Sequence, residues 1–399
     1  MEGWKQTTIG EICTLRNGPA YKKDDLLDSG KYPVLRVGNF FTNRHWYYSD
    51  FELDDTKYCD TGDLLYAWSA SFGPRIWEGE KVIFHYHIWR VDFDVTQVSK
   101  KFLYYWFEWD ADSIKKAQGA GTTMTHVSMK SMNARAISLP PLAEQERIVA
   151  ILDEAFTAIA TATVNVERNL VNARGVFESL LDAAFSQSGE GWLEKKFGDA
   201  ELIQIIDGDR GVNYPSKSDF HSDGHCLFLN TKNVRPDGFD FETTMFITEE
   251  KDKALRKGKL RRRDVLLTTR GTIGNIALYD DSVEFDHIRI NSGMLILRPN
   301  EKLILSEYLF EVLRSAFVKR QIAEFTSGAA QPQLPIKTLV QLVLPVPNRL
   351  KVQARLIEKL RDQSDQVKQL EAIYQQKLVL LAELKQSLLH QAFTGALTR

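Results

Sequence analysis

LPPLAEQERIVAILD (139–153) sets Pro140 and Pro141 before a polar turn and then begins a helical pattern. Proline offers no N–H to a β-ladder and presets the backbone for a first helical turn, so this step ends a strand and starts a helix. Glu144 in that turn favours the positive helix start. LPVPNRLKVQARLIEKL (344–360) repeats the arrangement in the second half of the chain, with Gln353 and Arg355 opposite Gln145 and Arg147. The second copy carries Val352 in place of Glu144 and has two more residues between its last proline, Pro347, and the glutamine.

Other matches follow in the same order. Trp4 and Gly10 face Trp192 and Gly198 at an offset of 188, and GDLLYAWSASFG (62–73) faces RDVLLTTRGTIG (263–274) at 201. Gly121 faces Gly328 at 207, and the Gln-x-Arg step follows at 208. A steadily growing offset is what a duplication with loop insertions in its second copy produces.

Each copy opens with short apolar runs bounded by Gly, Pro, Asn and Asp. YPVLRVGNF (32–40), DLLYAWSAS (63–71) and KVIFHYHIWRVDF (81–93) correspond to HCLFLNTKNV (225–234), DVLLTTRGT (264–272) and NSGMLILRP (291–299). These runs predict strands and turns. Helical stretches follow at 100–118 and 305–325. Helices and strands do not alternate regularly, so each globule is α+β, with a mostly antiparallel or irregular sheet.

Each copy then closes on a long amphipathic stripe. Apolar residues recur at three–four spacing from Ile148 to Ala184, with one long step around Val166, and from Leu356 to Leu388, interrupted at the seam by Gln363 and Lys377. Stripes of this length predict a pair of helices in an antiparallel coiled coil; the alternative is two ordinary bundle helices, whose mean length is about 11–12 residues. Gly189 and Gly395 are placed as helix stops. The order is globule (1–139), helix (140–188), globule (189–344), helix (345–399), an internal pseudo-two-fold repeat. A helix of roughly 45 residues is ~65–70 Å long at 1.5 Å per residue, so antiparallel pairing sets a globule at each end of a rod longer than a turn of B-DNA, about 34–36 Å.

Composition bounds the function. With 43% hydrophobic and 26% charged residues the 399-residue chain is ordinary globular protein, and its net charge of −2 leaves any binding to an acidic polymer to local patches. Cys13, Cys59 and Cys226 are odd in number and form no CxxC, which argues against a disulfide framework or a zinc knuckle and fits a reducing cytoplasm. The opening MEGWKQTTIGEICTL lacks a signal-peptide pattern, and no window holds eighteen uninterrupted apolar residues, so a soluble protein with no membrane partner is expected.

Taken together, LPPLAEQERIVAILD, the GAGTT and SGAAQPQL lead-ins, the GDLL and RDVLL segments and the closing LKQSLLHQAFTGALT (384–398) resemble the specificity subunit of type I restriction-modification enzymes. The resemblance covers essentially the whole chain. It implies two target-recognition domains, each reading one half of a bipartite, asymmetric sequence in double-stranded DNA. It further implies helical spacers that dock two modification (adenine methyltransferase) subunits, with restriction subunits completing an ATP-dependent nuclease. No catalysis is expected of this chain, and no cofactor: S-adenosylmethionine, ATP and Mg²⁺ belong to the partners. Glu144, Gln145, Arg147, Gln353 and Arg355 are the partner-docking candidates, with the loss of the Glu in the second copy making its docking site less ideal or independent of that carboxylate.

Recognition calls for side chains that pair with phosphates or base edges. In the first domain these are Arg36, Asn39, Trp68, Ser69, Ser71, Arg75, Thr122, Thr123 and His126. In the second, the basic run KDKALRKGKLRRRD (251–264) offers Arg261, Arg262 and Arg263 to phosphates or forms a solvated charged face. Asn230, Lys232, Asn233, Arg270, Thr272, Asn275, Gln331 and Gln333 are the candidates for closer readout. RGTIGN (270–275) is a tight turn or a DNA-facing loop, and lacks phosphate-loop spacing.

Catalytic readings find less support. Asp237 with Glu249, Glu250 and Lys251 matches a PD…ExK nuclease pattern in form, but the Asp sits in a turn signature, RPDG, and EEKDK reads as a solvated face. His85 and His87 in FHYHI would share one side of a strand as a metal pair, yet no third ligand follows at useful spacing. No methyltransferase NPP[FY] signature or helicase motif occurs. The rival from another class is a stand-alone nuclease using the PD…ExK residues, and a second rival is a scaffold or inhibitor that resembles the subunit but no longer binds sequence-specifically.

Overall fold

The computed structural model describes residues 3–42, 45–69, 73–118, 126–186, 191–236, 238–326 and 333–397. Two compact units emerge, residues 1–167 with 376–399 and residues 168–375.

In the first unit the buried run LLYA shows how the sequence builds the layers. Leu64–Ala67 is the third strand of an antiparallel sheet in the order Cys13–Asn17, Ile88–Phe93, Leu64–Ala67, Gly73–Ile76. Successive side chains alternate faces. Leu64 and Tyr66 therefore join Leu15 and Trp89 against Phe102, Leu103, Trp106 and Phe107 of the helix Lys100–Gln118. Leu65 and Ala67 point the other way, into a core with Leu35, Val82 and Phe84 from a second sheet. That sheet runs Tyr47–Ser49, Tyr32–Leu35, Val82–Phe84, Tyr58–Cys59, its central pair parallel. Burial on both faces explains why these strands read as continuous apolar runs.

The second unit repeats the plan. Its four-stranded sheet runs Ile203–Asp207, Met294–Pro299, Val265–Thr268, Ile276–Leu278, and Cys226–Leu229 lies parallel to Ile288–Ile290 in a second sheet. Val265 and Leu267 face Tyr308, Leu309, Val312 and Leu313, while Leu266 packs with Leu227 and Leu229.

A two-stranded ribbon leads into each long helix: Lys5–Thr8 with Ala136–Leu139, and Trp192–Lys196 with Val343–Pro347. The first strand stops before Pro140, as expected. The second includes Pro345 and Pro347, which a ribbon tolerates because each strand has an unpaired edge. The long helices are Leu142–Ser186 and Leu350–Phe393. In the second unit their segments run antiparallel: Arg174 pairs with Glu371 at 2.9 Å, and Leu181 and Phe185 share a core with Leu360. In the first unit Ile148 and Leu152 pack with Leu389, Ala392 and Phe393. Gly395 takes φ +73° just past the last helix, as a helix stop requires; Gly121, Gly189 and Gly328 lie outside the described residues.

Three predicted elements differ. The run 32–40 is a strand only to Leu35 and then a helix, Val37–Thr42. The run 81–93 is two strands, Val82–Phe84 and Ile88–Phe93, broken by a turn at 85–87. The helix expected over 305–325 is two, Ser306–Arg314 and Ala316–Thr326, parted at buried Ser315, whose ψ of 152° is extended.

The helix Leu142–Ser186 also holds an eighteen-residue window of mean hydropathy 1.4, long and apolar enough to cross a membrane by length and composition. Its polar residues include Thr157, Thr161 and Thr163, whose hydroxyls donate to carbonyls one turn back.

Candidate nucleic-acid interface

Strand direction gathers the candidate loops. In the first unit Leu35 pairs in parallel with Phe84, while Asn17 and Ala67 pair antiparallel with Trp89 and Ile88. Four strands thus end along one edge, and segments 18–19, 36–39, 68–69 and 85–87 leave from it, the second of them opening the short helix Val37–Thr42. Backbone bonds knit them together: the N–H groups of His85, Tyr86 and Trp68 donate to the carbonyls of Leu35, Pro19 and His87 at 2.9, 3.0 and 3.0 Å. His126 joins through a bridge to Ser69. Position 18 must be glycine, since a Cβ would lie 1.9 Å from the Phe84 carbonyl oxygen.

The second unit builds the same edge from different residues. Turns 208–211, 230–233, 269–274 and 291–293 follow its corresponding strands. Asn291 N–H donates to Leu229 O at 3.0 Å, Thr269 N–H to Gly293 O at 2.8 Å, and Arg270 bridges to Gln333. Gly208 repeats the close approach, with the Asn291 carbonyl oxygen 2.4 Å from a would-be Cβ. Asp209, 7% exposed, accepts from the backbone N–H groups of Gly211, Arg256 and Lys257. The Gly211 bond leads in holding its carboxyl below the ordinary carboxylate value, against the opposing effect of burial.

Within these edges the sequence-predicted residues divide. Asn39 and Asn233, 4% and 2% exposed, are corrected from DNA contacts to internal braces. The Asn39 amide donates to His45 O at 2.9 Å, and that of Asn233 to Asp240 O and Thr243 O at 3.0 and 2.7 Å. Ser69 is buried too. Asn275 donates to Val234 O, and Asn230 caps its own turn by accepting from Lys232 N–H. Trp68 stacks on Trp89 and donates from Nε1 to Tyr86 O at 2.7 Å, anchoring the 85–87 turn. Arg75 donates to Phe40 O and lies over Trp77. His126, Lys232, Arg270, Thr272 and Gln333 are exposed, and Arg36 is half-exposed. Ser71, Thr122, Thr123 and Gln331 lie outside the described residues.

The basic run is not a free patch. Arg262 bonds Asp280 O, Val283 O and Asp286, and Arg263 pairs with Glu301 and Glu307 at 3.1 and 2.7 Å. Lys251, Lys253 and Lys259 pair with Asp219, Glu249 and Asp252. Arg261 is exposed, but the whole triplet precedes Val265–Thr268, at the end of that strand away from Arg270. Arg262 and Arg263 are thus engaged in surface ion pairs, the arrangement that the alternative of a solvated charged face calls for. The same pairs commit Glu249 and Lys251 of the nuclease pattern, and Asp237 lies outside the described residues.

Two docking candidates are corrected as well. Gln145 and Gln353 are both 0% exposed. Gln145 accepts from Ser99 N–H and donates to Gln97 O and Pro140 O; Gln353 accepts from Leu305 N–H and donates to Leu303 O and Pro347 O. All six distances fall between 2.8 and 3.0 Å, so each amide is spent inside its own unit. Arg147, paired with half-buried Glu144 at 3.7 Å, and Arg355 remain exposed on the helices.

Sequence reasoning did not name His85, His87, Arg210, Thr231 and Asn291 as recognition candidates, and the structure sets them on these same edges. The signal was available in FHYHI, where two polar residues interrupt an apolar run opposite Asn291 and Gly293 of the repeat. Both imidazoles are shifted toward neutrality: burial first, then His87 and Arg36, push His85 down to about 4, and burial, His126 and Arg36 lower His87.

A duplicated mixed globule that presents polar turns along one edge and is joined through long helices defines a class of paired recognition modules. The chain belongs to the type I restriction modification DNA specificity family, whose domain model matches residues 1–168 and again 190–380. It is similar to the type I restriction enzyme EcoBI specificity subunit of Escherichia coli, 21% identical over 100% of this chain and 87% of that one. The MjaVIII specificity subunit of Methanocaldococcus jannaschii is 26% identical over 92% of this chain and 89% of its own. Among solved structures, a chain from a study of complex assembly and conformational transition in the type I R-M system superposes with a TM-score of 0.75 at 18% identity, covering 99% of each chain. The HsdS subunit of Thermoanaerobacter tengcongensis gives 0.59 at 18% identity, covering 99% of this chain and 97% of that one.

Proposed function

We propose that this chain is the reading and scaffolding subunit of a type I restriction-modification complex, each recognition domain reading one half of a bipartite, asymmetric duplex sequence. The observation that carries this reading is the shared edge: two units with the same strand ends and the same buried asparagine brace, Asn39 or Asn233, present different exposed side chains. A constant frame with variable tips is what two independent sequence readers need. Residues 1–139 and 189–344 are the reading domains, and 140–188 and 345–399 the helical spacers. Two modification subunits dock on the spacers, with Arg147 and Arg355 as docking groups, and restriction subunits complete the assembly. Catalysis, with S-adenosylmethionine, ATP and Mg²⁺, resides in those partners, in the cytoplasm and away from membranes.

Reconstitution with modification subunits tests the reading. The complex is expected to bind DNA with sequence preference, and Arg270→Ala to change that preference at one half-site. Sequence-independent binding by the wild-type complex favours a scaffold or inhibitor instead. Cleavage of DNA by the purified chain with Mg²⁺, abolished in Asp237→Ala, overturns the non-catalytic reading.

A further inference from the structure

The first unit carries a cleft of about 350 Å³ at its reading edge, with Arg36, His45, Tyr47, His85 and His87 among its walls. Arg36 follows the last residue of Tyr32–Leu35, and its guanidinium lies over the ring of Tyr47 on the neighbouring strand, 5.3 Å from the centroid. No carboxylate pairs with it among the described residues, whereas Arg16, Arg90 and Arg135 of the same unit pair with Asp92, Asp92 and Asp110. A guanidinium held by stacking keeps its in-plane N–H donors available and has already lost much of its rotamer freedom. The rings of His85 and His87 stand 4.8 Å apart on a turn pinned by Leu35, Pro19 and Trp68. A neutral imidazole presents one donor and one acceptor, and the lowered values of both histidines keep them in that form at neutral pH.

We infer that Arg36, flanked by His85 and His87, reads a guanine edge in the half-site of the first domain. Guanine offers N7 and O6 as adjacent major-groove acceptors, the pair a guanidinium fork matches. The equivalent positions of the second unit hold Asn230, Asn291 and Gly293, so that domain does not repeat this contact. This inference rests on the proposed function and names a specificity determinant within it.

The test uses the full chain assembled with modification subunits, with methylated-adenine mapping and competition binding across a library of half-site variants. Arg36→Ala is expected to lower the preference for guanine at one position of one half-site by roughly 5- to 150-fold, leaving the other half unchanged. Arg36→Lys keeps the charge but not the fork, and is expected not to restore that preference. His87→Asn is expected to alter preference at the same or an adjacent base pair. An unchanged sequence preference in Arg36→Ala, weakening that is uniform across sequences, recovery by Arg36→Lys, or a first half-site without guanine overturns the assignment. A wild-type complex lacking any sequence preference defeats the proposed function and this inference together; a specific wild type with an indifferent Arg36→Ala defeats the inference alone.

Discussion

Gln145 shows how a residue can be read correctly as a landmark and wrongly as a surface. Its recurrence as Gln353 marks the duplication, yet each amide is wholly buried and ties the start of a long helix to the turn before another helix. Burial is not visible in a single glutamine code, because the three partners of Gln145 are backbone groups, two of them more than forty residues away. Truncation leaves those three groups unpaired at about 1–3 kcal/mol each, so Gln145→Ala is expected to destabilise its unit by about 3 kcal/mol or more without changing sequence preference. Urea unfolding and DNA competition measure the two effects separately. Asp209 makes a pH prediction. Its folded-state value is depressed, so its stabilisation is present above the ordinary carboxylate value of about 3.9 and is lost as pH falls through the lowered one. The stability gap between wild type and Asp209→Asn is therefore expected to be widest near neutrality and to shrink below about pH 4; a gap that grows on acidification contradicts this.

Elements with strong periodicity were legible. The helix Lys100–Gln118 coincides with its predicted span, and both long helices follow from their three–four stripes. What stayed hidden were interruptions set by tertiary bonding. At the strand break 85–87 the His85 N–H donates to Leu35 at the end of the neighbouring strand and the Tyr86 N–H to Pro19 of another turn, and at the break in the helix the Ser315 hydroxyl donates to Val312 O. The basic run was hard to read for a similar reason: Arg262 and Arg263 pair with carboxylates distant in sequence, Asp286, Glu301 and Glu307. Within the helix pair of the second unit, apolar contact outweighs charge. The exposed Arg174–Glu371 bridge contributes on the order of 0–1 kcal/mol, whereas emptying the space of Leu360, 2% exposed, costs about 2–5 kcal/mol. Leu360→Ala should accordingly lower the urea midpoint far more than Arg174→Ala, and equal effects would show that the pair is held by charge.

For the whole chain, the duplication was legible because the two copies kept matching landmarks in one order; of the candidate readers Arg36 and Arg270 were named from sequence, whereas His85 and His87 were not, because the segments they occupy share only their place along an edge. A chain of net charge −2 cannot hold DNA by overall attraction. On the proposed reading, specific binding by the assembled complex comes from local donors, Arg36 and Arg270 among them, together with partner charge. The most direct test is to map methylated adenines made by the reconstituted complex carrying wild-type chain, then Arg36→Ala and Arg270→Ala in turn. The account predicts a two-part asymmetric target for the wild type, with Arg36→Ala altering one part and Arg270→Ala the other. A single contiguous target, or two substitutions that alter the same part, would contradict it.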